Sequence, residues 1–435
     1  MPDTLTRGWL RTGRSGKDCG QDRGRDPAFN LISDPGNGED TTARMTIDPR
    51  RIAIAFCAIS AFLHLYAPQA VLPFIAQELD VGAAQASMVV TAGTLAVALT
   101  APFAGVISDA IGRKRVMVTA MILLLVPTVM LSTSQSLTEL VLWRFAQGLL
   151  LPPIFAVTVA YIGDEWPPGE ATGVIGLYAG ASAVGGVLAR LIPGTLADAL
   201  TWRGGLLALA VAHLLCIAVV LWTLPTEKNF VKADNLAASL RQMLRHLQNP
   251  RLLAIYAVGF GVLFNFIATF TFITFHLAAP PFSLSAFALG MIFVVYLVGS
   301  VAALGTGRAV ARIGRRPFIL MVLVVWAGGM LLTLLPSLPA IILGLLLVSA
   351  CGIITQATST AFVAVTAQGG KSAAIGLYVT SFYIGGTFGG WLPGLGYEVG
   401  GWTTSLATVM VMLAFMALVV ATAWREPKSN TSCRL

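Results

Sequence analysis

From residue 52 onward the chain is a succession of apolar runs, interrupted only by short clusters of glycine, proline and charge. A helix needs about 20 apolar residues to cross a hydrocarbon layer of about 30 Å. Runs of that kind fall at 52–72, 84–104, 116–131, 137–162, 171–196 and 204–224, then at 252–277, 286–307, 318–335, 340–367, 372–395 and 403–424. Lipid offers no hydrogen bonds to a backbone, so each run must satisfy its own peptide groups and be helical. The expected fold is therefore an all-α membrane protein of about twelve transmembrane helices. Composition agrees: 56% of the residues are hydrophobic and 11% charged, against about 25% charged in a typical soluble domain.

The net charge of +8 does not point to a nucleic-acid partner, because the basic residues fall on alternate links. Arg50, Arg51, Arg113, Lys114, Arg115, Arg245, Arg251, Arg312, Arg315 and Arg316 lie on one side, and the other side holds little but Glu78, Asp80, Glu139, Asp198, Arg203 and Glu398. Lys and Arg resist translocation, which predicts cytoplasmic termini and a bacterial inner (plasma) membrane. The expected organisation is a disordered cytoplasmic tail (1–49), a six-helix bundle (50–225), a cytoplasmic linker (226–250), a second six-helix bundle (251–424) and a short tail (425–435). Met45, just before the first run, is a second candidate start beside Met1. Cys19, Cys57, Cys216, Cys351 and Cys433 lie far apart, and neither a disulfide framework, a metal site nor a cofactor is expected.

The two bundles repeat each other. One offset of 200 residues (175 to 375) aligns Ile175-Gly176-Leu177-Tyr178 with Ile375-Gly376-Leu377-Tyr378, Gly185-Gly186 with Gly385-Gly386, and Pro193-Gly194 with Pro393-Gly394. It also pairs Trp202 with Trp402 and Asp198 with Glu398. A pseudo-symmetric pair of six-helix units is the architecture that follows.

Polar groups inside lipid are costly and mark an internal cavity. His64 and Gln69 in the first run, Arg144 and Gln147 in the fourth and Arg190 in the fifth are the candidates of the first half. Asn265, Thr269, Gln356, Tyr378 and Tyr383 are those of the second. Arg144 lies about seven residues inside its run, roughly 10 Å below the interface at 1.5 Å per residue, and needs a cavity or a cluster of carbonyls. Arg190 is nearer the end of its run, where its stem can carry the charge to the interface. His64 can exchange protons near neutrality or sit neutral on a backbone carbonyl. Asn265, Thr269, Phe272 and His276 share one helical face, expected to line a cavity for an amphiphilic solute. Gly176 and Gly180, like Gly386 and Gly390, are four apart and read as close-packing positions. No Asp or Glu lies deep in any expected span.

Gly105-Val106-Ile107-Ser108-Asp109-Ala110-Ile111-Gly112-Arg113-Lys114-Arg115 resembles the signature loop of the major facilitator superfamily. A decayed copy follows at Gly307 to Arg316, with Ala311 where the acid belongs, and Arg144-Phe145-Ala146-Gln147-Gly148 resembles the family's fourth-helix motif. Within that superfamily, Leu65 to Pro73 and Asp198 to Arg203 look most like the YnfM-type bacterial permeases, near the drug:proton antiporters, although the fifth run lacks their Gly-Pro pair. The resemblance implies alternating access, a conformational switch at Gly105, Asp109, Gly112 and Arg113, and proton coupling through Arg144.

The function expected is secondary active transport of a small organic solute, by efflux in exchange for protons. Uptake by symport or facilitated diffusion is the alternative, and a non-transporting sensor or scaffold a remote one. An enzyme would need a nucleophile or metal cluster, which four scattered histidines do not supply, and an ATP-driven pump a phosphate loop.

Overall fold

The computed structural model describes residues 48–228, 243–367 and 371–424, and the expected tails and most of the linker lie outside them. Helices begin where side chains take up their first free N–H groups. Asp48 Oδ1 accepts from Arg50 N at 2.9 Å ahead of Pro49, and Asn249 Oδ1 accepts from Arg251 N at 3.0 Å ahead of Pro250. Ser136 accepts from Glu139 N at 3.3 Å, while the Glu139 carboxylate takes the Gln135 N–H at 2.8 Å, one residue earlier than in a strict capping box.

Among the described residues, ten helical stretches, some of them kinked, are long and apolar enough to cross a membrane. The first span is not among them because it is broken, into Pro49–Leu65, a single 3₁₀ turn Ala67–Ala70, and Leu72–Glu78. The last, Lys371–Ala423, is two spans run together across the non-helical Gly400 and Gly401. Resolving these two cases gives the twelve spans expected. Those between are Ala83–Ile111, Arg113–Thr133, a fourth in two pieces (Leu137–Leu150, Pro152–Glu165), Pro168–Ala199 and Trp202–Thr223. In the second half they are Pro250–Ala278, an eighth in pieces from Ala286 to Ile313, Arg315–Leu332 and Leu338–Thr366.

The repeat is visible in the backbone. Gly112 (φ 111°) and Gly314 (φ 88°) end the second and eighth spans in the left-handed region, at matching places of the two halves. A side chain would be strained in both turns. At Gly185 a Cβ would stand 2.7 Å from the Ile59 carbonyl oxygen, and at Gly385 one would run into that of Phe260. The fifth span thus lies against the first, and the eleventh against the seventh, at backbone contact. Gly194 and Gly394 do the same between halves, against Ala286 and Ala84.

Lipid-facing side chains such as Trp222, Val324 and Val411 cover the sixth, ninth and twelfth spans, as their apolar sequence predicts. Each also turns one face inward, with His213, Trp326 and Met416 fully buried. The seventh span is the most enclosed, with 83% of its apolar window buried.

Gly376 has nothing within 4 Å of a Cβ position. Gly385→Ala should therefore lower the thermal unfolding temperature of the purified protein by several degrees, a cost of about 1–3 kcal/mol, and Gly376→Ala should leave it unchanged. Equal melting of the two variants would contradict the backbone contact.

Candidate functional site

Both buried guanidinium groups of the first half depend on the break in the first span. Pro68 has no N–H for the carbonyl of His64, four residues back, and the Gln69 N–H turns to Tyr66 O (3.2 Å) in place of Leu65 O. Arg144 comes in from the fourth span and donates from Nη1 to His64 O (2.8 Å) and from Nη2 to Leu65 O (2.9 Å). Its Nε reaches Val89 O at 3.2 Å, and Nη1 also reaches Gln147 Oε1 at 2.7 Å. Gln147 in turn donates to Thr128 Oγ1 at 2.9 Å. The charge is held by four oxygens, three of them backbone, with no carboxylate among them. Gly93 leaves room for it: a Cβ there would lie 2.9 Å from Nη2.

Beside this cage two histidines meet at 4.5 Å between ring centroids. His213, on the sixth span, bridges Met121 O (Nε2, 2.7 Å) and the Ser60 hydroxyl (Nδ1, 3.0 Å). His64 Nδ1 faces Ser60 O at 3.1 Å, and its buried Nε2 has no partner. His64 thus rests on a backbone carbonyl through Nδ1. His213 was not singled out by its sequence, since one polar residue in an apolar helix carries no pattern.

Arg190 does not reach the interface. It is buried, and Gln69 explains why: Gln69 Oε1 accepts from Nε (3.0 Å) and Nη2 (2.6 Å), while Nη1 donates to Gly186 O (2.6 Å). The rings of Tyr66, Phe293 and Tyr296 surround the guanidinium at 4.6, 4.4 and 5.0 Å from their centroids. Gln69 Nε2 then donates to Thr271 Oγ1 of the seventh span at 3.1 Å, which ties the two halves together. Phe293 and Tyr296 were missed in sequence; a buried cation's need for partners is the signal that could have found them.

Arg190 borders a cavity of about 680 Å³ between the halves, whose wall also carries Tyr66, Tyr178, Phe266, Tyr296, Gln356 and Tyr383. Its size is that of a small organic ligand. Arg190, Gln356 and Tyr383 line it. His64, Gln69, Arg144, Gln147 and Tyr378 do not line it; Tyr378 packs against Gly259 instead. Asn265 and Thr269 face away, toward the sulfurs of Met416 and Met330 (both 3.4 Å), and Leu263, Phe266 and Ile267 supply the seventh span's cavity face. The helix is buried nearly all round, so its polar stripe met the second half's own core rather than the cavity. Gly176 and Gly180 also depart from expectation: they are open cavity wall, while Gly386 and Gly390 are close-packed against Leu263 and Thr91.

The halves meet at the face opposite the basic links. Asp198 accepts from Ala286 N (3.0 Å) and Phe287 N (2.9 Å), the first N–H groups of the eighth span. Its counterpart Glu398 lies against Gly82, at the start of the second span. Nearby Glu78 takes hydrogen bonds from Arg203 and from Trp202 Nε1 (2.5 Å). At the basic face Asp109 pairs with Arg113 (2.5 Å), and Arg113 Nε with Asp164 (3.0 Å), all within the first half. Gly105, also named from the signature loop, has open space where a Cβ would stand.

Two helical bundles closed on each other at one face around a central cavity define a membrane carrier. Residues 54–302 and 264–433 match the model of the Major Facilitator Superfamily, and the chain belongs to that family. It is 31% identical to the inner membrane transport protein YnfM of Escherichia coli, over 85% of this chain and 88% of that one. An uncharacterized transporter of Buchnera aphidicola is 30% identical over 76% and 81%. The fold superposes on a mutant of the nucleoside transporter NupG with a TM-score of 0.73 at 14% identity, covering 86% and 100% of the two chains. A bacterial homologue of the lysosomal transporter Spinster, inward-facing and occupied, gives 0.69 at 14% identity over 86% and 96%.

Arg144→Met should leave three buried carbonyls short of a donor, at about 1–3 kcal/mol each, so the purified variant should aggregate or melt far below the parent. Arg144→Lys puts a compact ammonium where a planar fork spans four acceptors; it should fold at a reduced melting temperature. A parent-like melt for Arg144→Met would remove the cage from the argument.

Proposed function

We propose that the chain is a secondary active transporter that exports a small amphiphilic organic solute by alternating access, in exchange for protons, across a bacterial inner membrane. The observation that carries this reading is the cavity of about 680 Å³, closed by inter-bundle contacts at one face and bordered by aromatic rings and one buried cation. The basic links mark the cytoplasmic side, so the state described is closed outward. Asp198 and Glu398 are the outer latch. Asp109 and Arg113, with Gly112 giving the turn its shape and Gly105 two helical turns earlier on the same span, form the inner one, engaging the start of the eleventh span in the opposite state. His64 is the proton site: with its proton on Nδ1 toward Ser60 O, Nε2 keeps a free lone pair. Arg144 and Gln147 hold the first span in register around it.

Everted vesicles acidified inside by respiration should accumulate solute, and a protonophore that collapses both the pH gradient and the potential should abolish the accumulation. Uptake that ignores the pH gradient would point to facilitated diffusion. Asp109→Asn should give an abundant, inserted protein with flux reduced about tenfold, the effect of a shift of about 1.4 kcal/mol between two states, whereas Ala311→Asp should change little. For orientation, an impermeant thiol reagent applied to whole cells should label a cysteine placed at the exposed Gln135, next to Ser134, and miss one at Gln242.

A further inference from the structure

Arg190 is held by neutral groups alone. Its hydrogen bonds go to an amide oxygen and a backbone carbonyl, and its faces meet three aromatic rings. Those bonds use three of the five N–H groups of a guanidinium, so one remains on each terminal nitrogen. Among the described residues none of the cavity's lining side chains is acidic. The cavity therefore carries a whole positive charge that nothing in it neutralises. In a site of low dielectric such a charge repels cations and attracts anions strongly. Arg144 does not share this role, since its four acceptors enclose it away from the cavity.

Most of the remaining wall is apolar or aromatic, with Phe62, Leu263, Phe266, Ile267, Ile353 and Phe382, and Gln356 adds a neutral amide. Ser182 and Ser300 turn their hydroxyls back onto Tyr178 O and Tyr296 O of their own helices, at 2.8 Å each, and add no competing charge. One cationic end and a long apolar remainder match a molecule with one anionic end and an apolar body. The planar fork of a guanidinium suits an oxyanion.

Resting on the carrier reading above, we infer that the transported solute is an amphiphilic organic anion, a carboxylate or sulfonate on an apolar body, whose charged end docks on Arg190. Gln69 and the three rings fix the guanidinium's direction, so that the anion completes a hydrogen-bonding set already partly formed. Gln69 also bonds Thr271, which makes the docking point part of the contact between bundles.

The test compares three compounds of one shape, 2-naphthoate, 2-naphthamide and 2-naphthylmethylammonium, on the full-length protein in nanodiscs, by calorimetric affinity and thermal shift. The wild type should bind the naphthoate about tenfold or more tightly than the amide and the ammonium least of all. Arg190→Gln should lose that preference while still binding the amide, and Arg190→Lys should retain part of it. The wild-type comparison needs no variant, so it stands even where Arg190→Gln does not fold. No advantage of the anion over the amide in the wild type, or a full anion preference in folded Arg190→Gln, overturns the inference. Flux of each compound in proteoliposomes separates the two readings. Transport of the amide or ammonium without anion preference sinks the anion site and keeps the carrier. Anion-selective binding with no flux of any compound keeps the site and overturns the carrier.

Discussion

A helix inside a membrane cannot leave carbonyl groups unpaired, and the first span breaks at Tyr66 to Val71 in the middle of its course. The peptide groups released there need donors that lipid does not have. Arg144 supplies them, and the arrangement satisfies both parties: a guanidinium without a counter-ion finds oxygens, and a helix without its next turn finds N–H groups. The same break turns Tyr66 and Gln69 toward Arg190 on the other side of the chain. One short 3₁₀ turn thus serves two cations, one sealed inside the first bundle and one at the cavity. Moving Pro68 by a residue would put the wrong carbonyl before Arg144 and the wrong side chain before Arg190. For this reason the two clusters act as one structural unit.

The duplicated half shows what the break is for. The seventh span, which corresponds to the first, runs unbroken from Pro250 to Ala278, and its polar groups meet methionine sulfurs instead of charges. Symmetry survives where bundles must pack or close, at Gly185 with Gly385, Gly194 with Gly394, and Asp198 with Glu398. It is lost where chemistry is placed. Closure at the face opposite the basic links rests on exposed carboxylates against helix N-termini, contacts worth about 0.3–1 kcal/mol each. Contacts that weak suit a switch, because the two states of a carrier must lie within a few kcal/mol of each other.

The number of spans, the duplication and the family were legible in the sequence because each is a repeated signal: a length of apolar chain, an offset, a spaced motif. Arg144 and Arg190 were legible as charges that lipid forbids. Where each pointed was not. Arg190 lies near the end of its run, and whether such a side chain turns outward or inward depends on Gln69, 121 residues away in sequence. The stripe of Asn265 and Thr269 has helical spacing, but spacing gives a common face and not the neighbour of that face. In a span buried all round, either side can be the core. Gly176 and Gly386 each have a second glycine one helical turn on, and yet one is cavity wall and the other a packing contact. The spacing is the same; what stands opposite it is not.

The sign of the cavity's charge also bears on direction. Cells keep their interior negative, and one elementary charge crossing 100 mV is worth about 2.3 kcal/mol. An anion leaving such a cell moves with that field, and a proton entering moves with it too. Exchange of the two therefore carries two charges in the favourable direction per cycle, and the potential adds to the pH gradient instead of opposing it. Uptake of the same anion with one proton would be electrically silent and would draw on the pH gradient alone. A binding site that neutralises the solute with a fixed arginine adds a further asymmetry. With the proposed anion bound, the cavity would be nearly neutral and could reorient through the membrane at little electrical cost, whereas the empty cavity carries Arg190 uncompensated. Under the proposed exchange the return of the unloaded carrier is then the charge-bearing step, in which Arg190 and the incoming proton both move inward with the field.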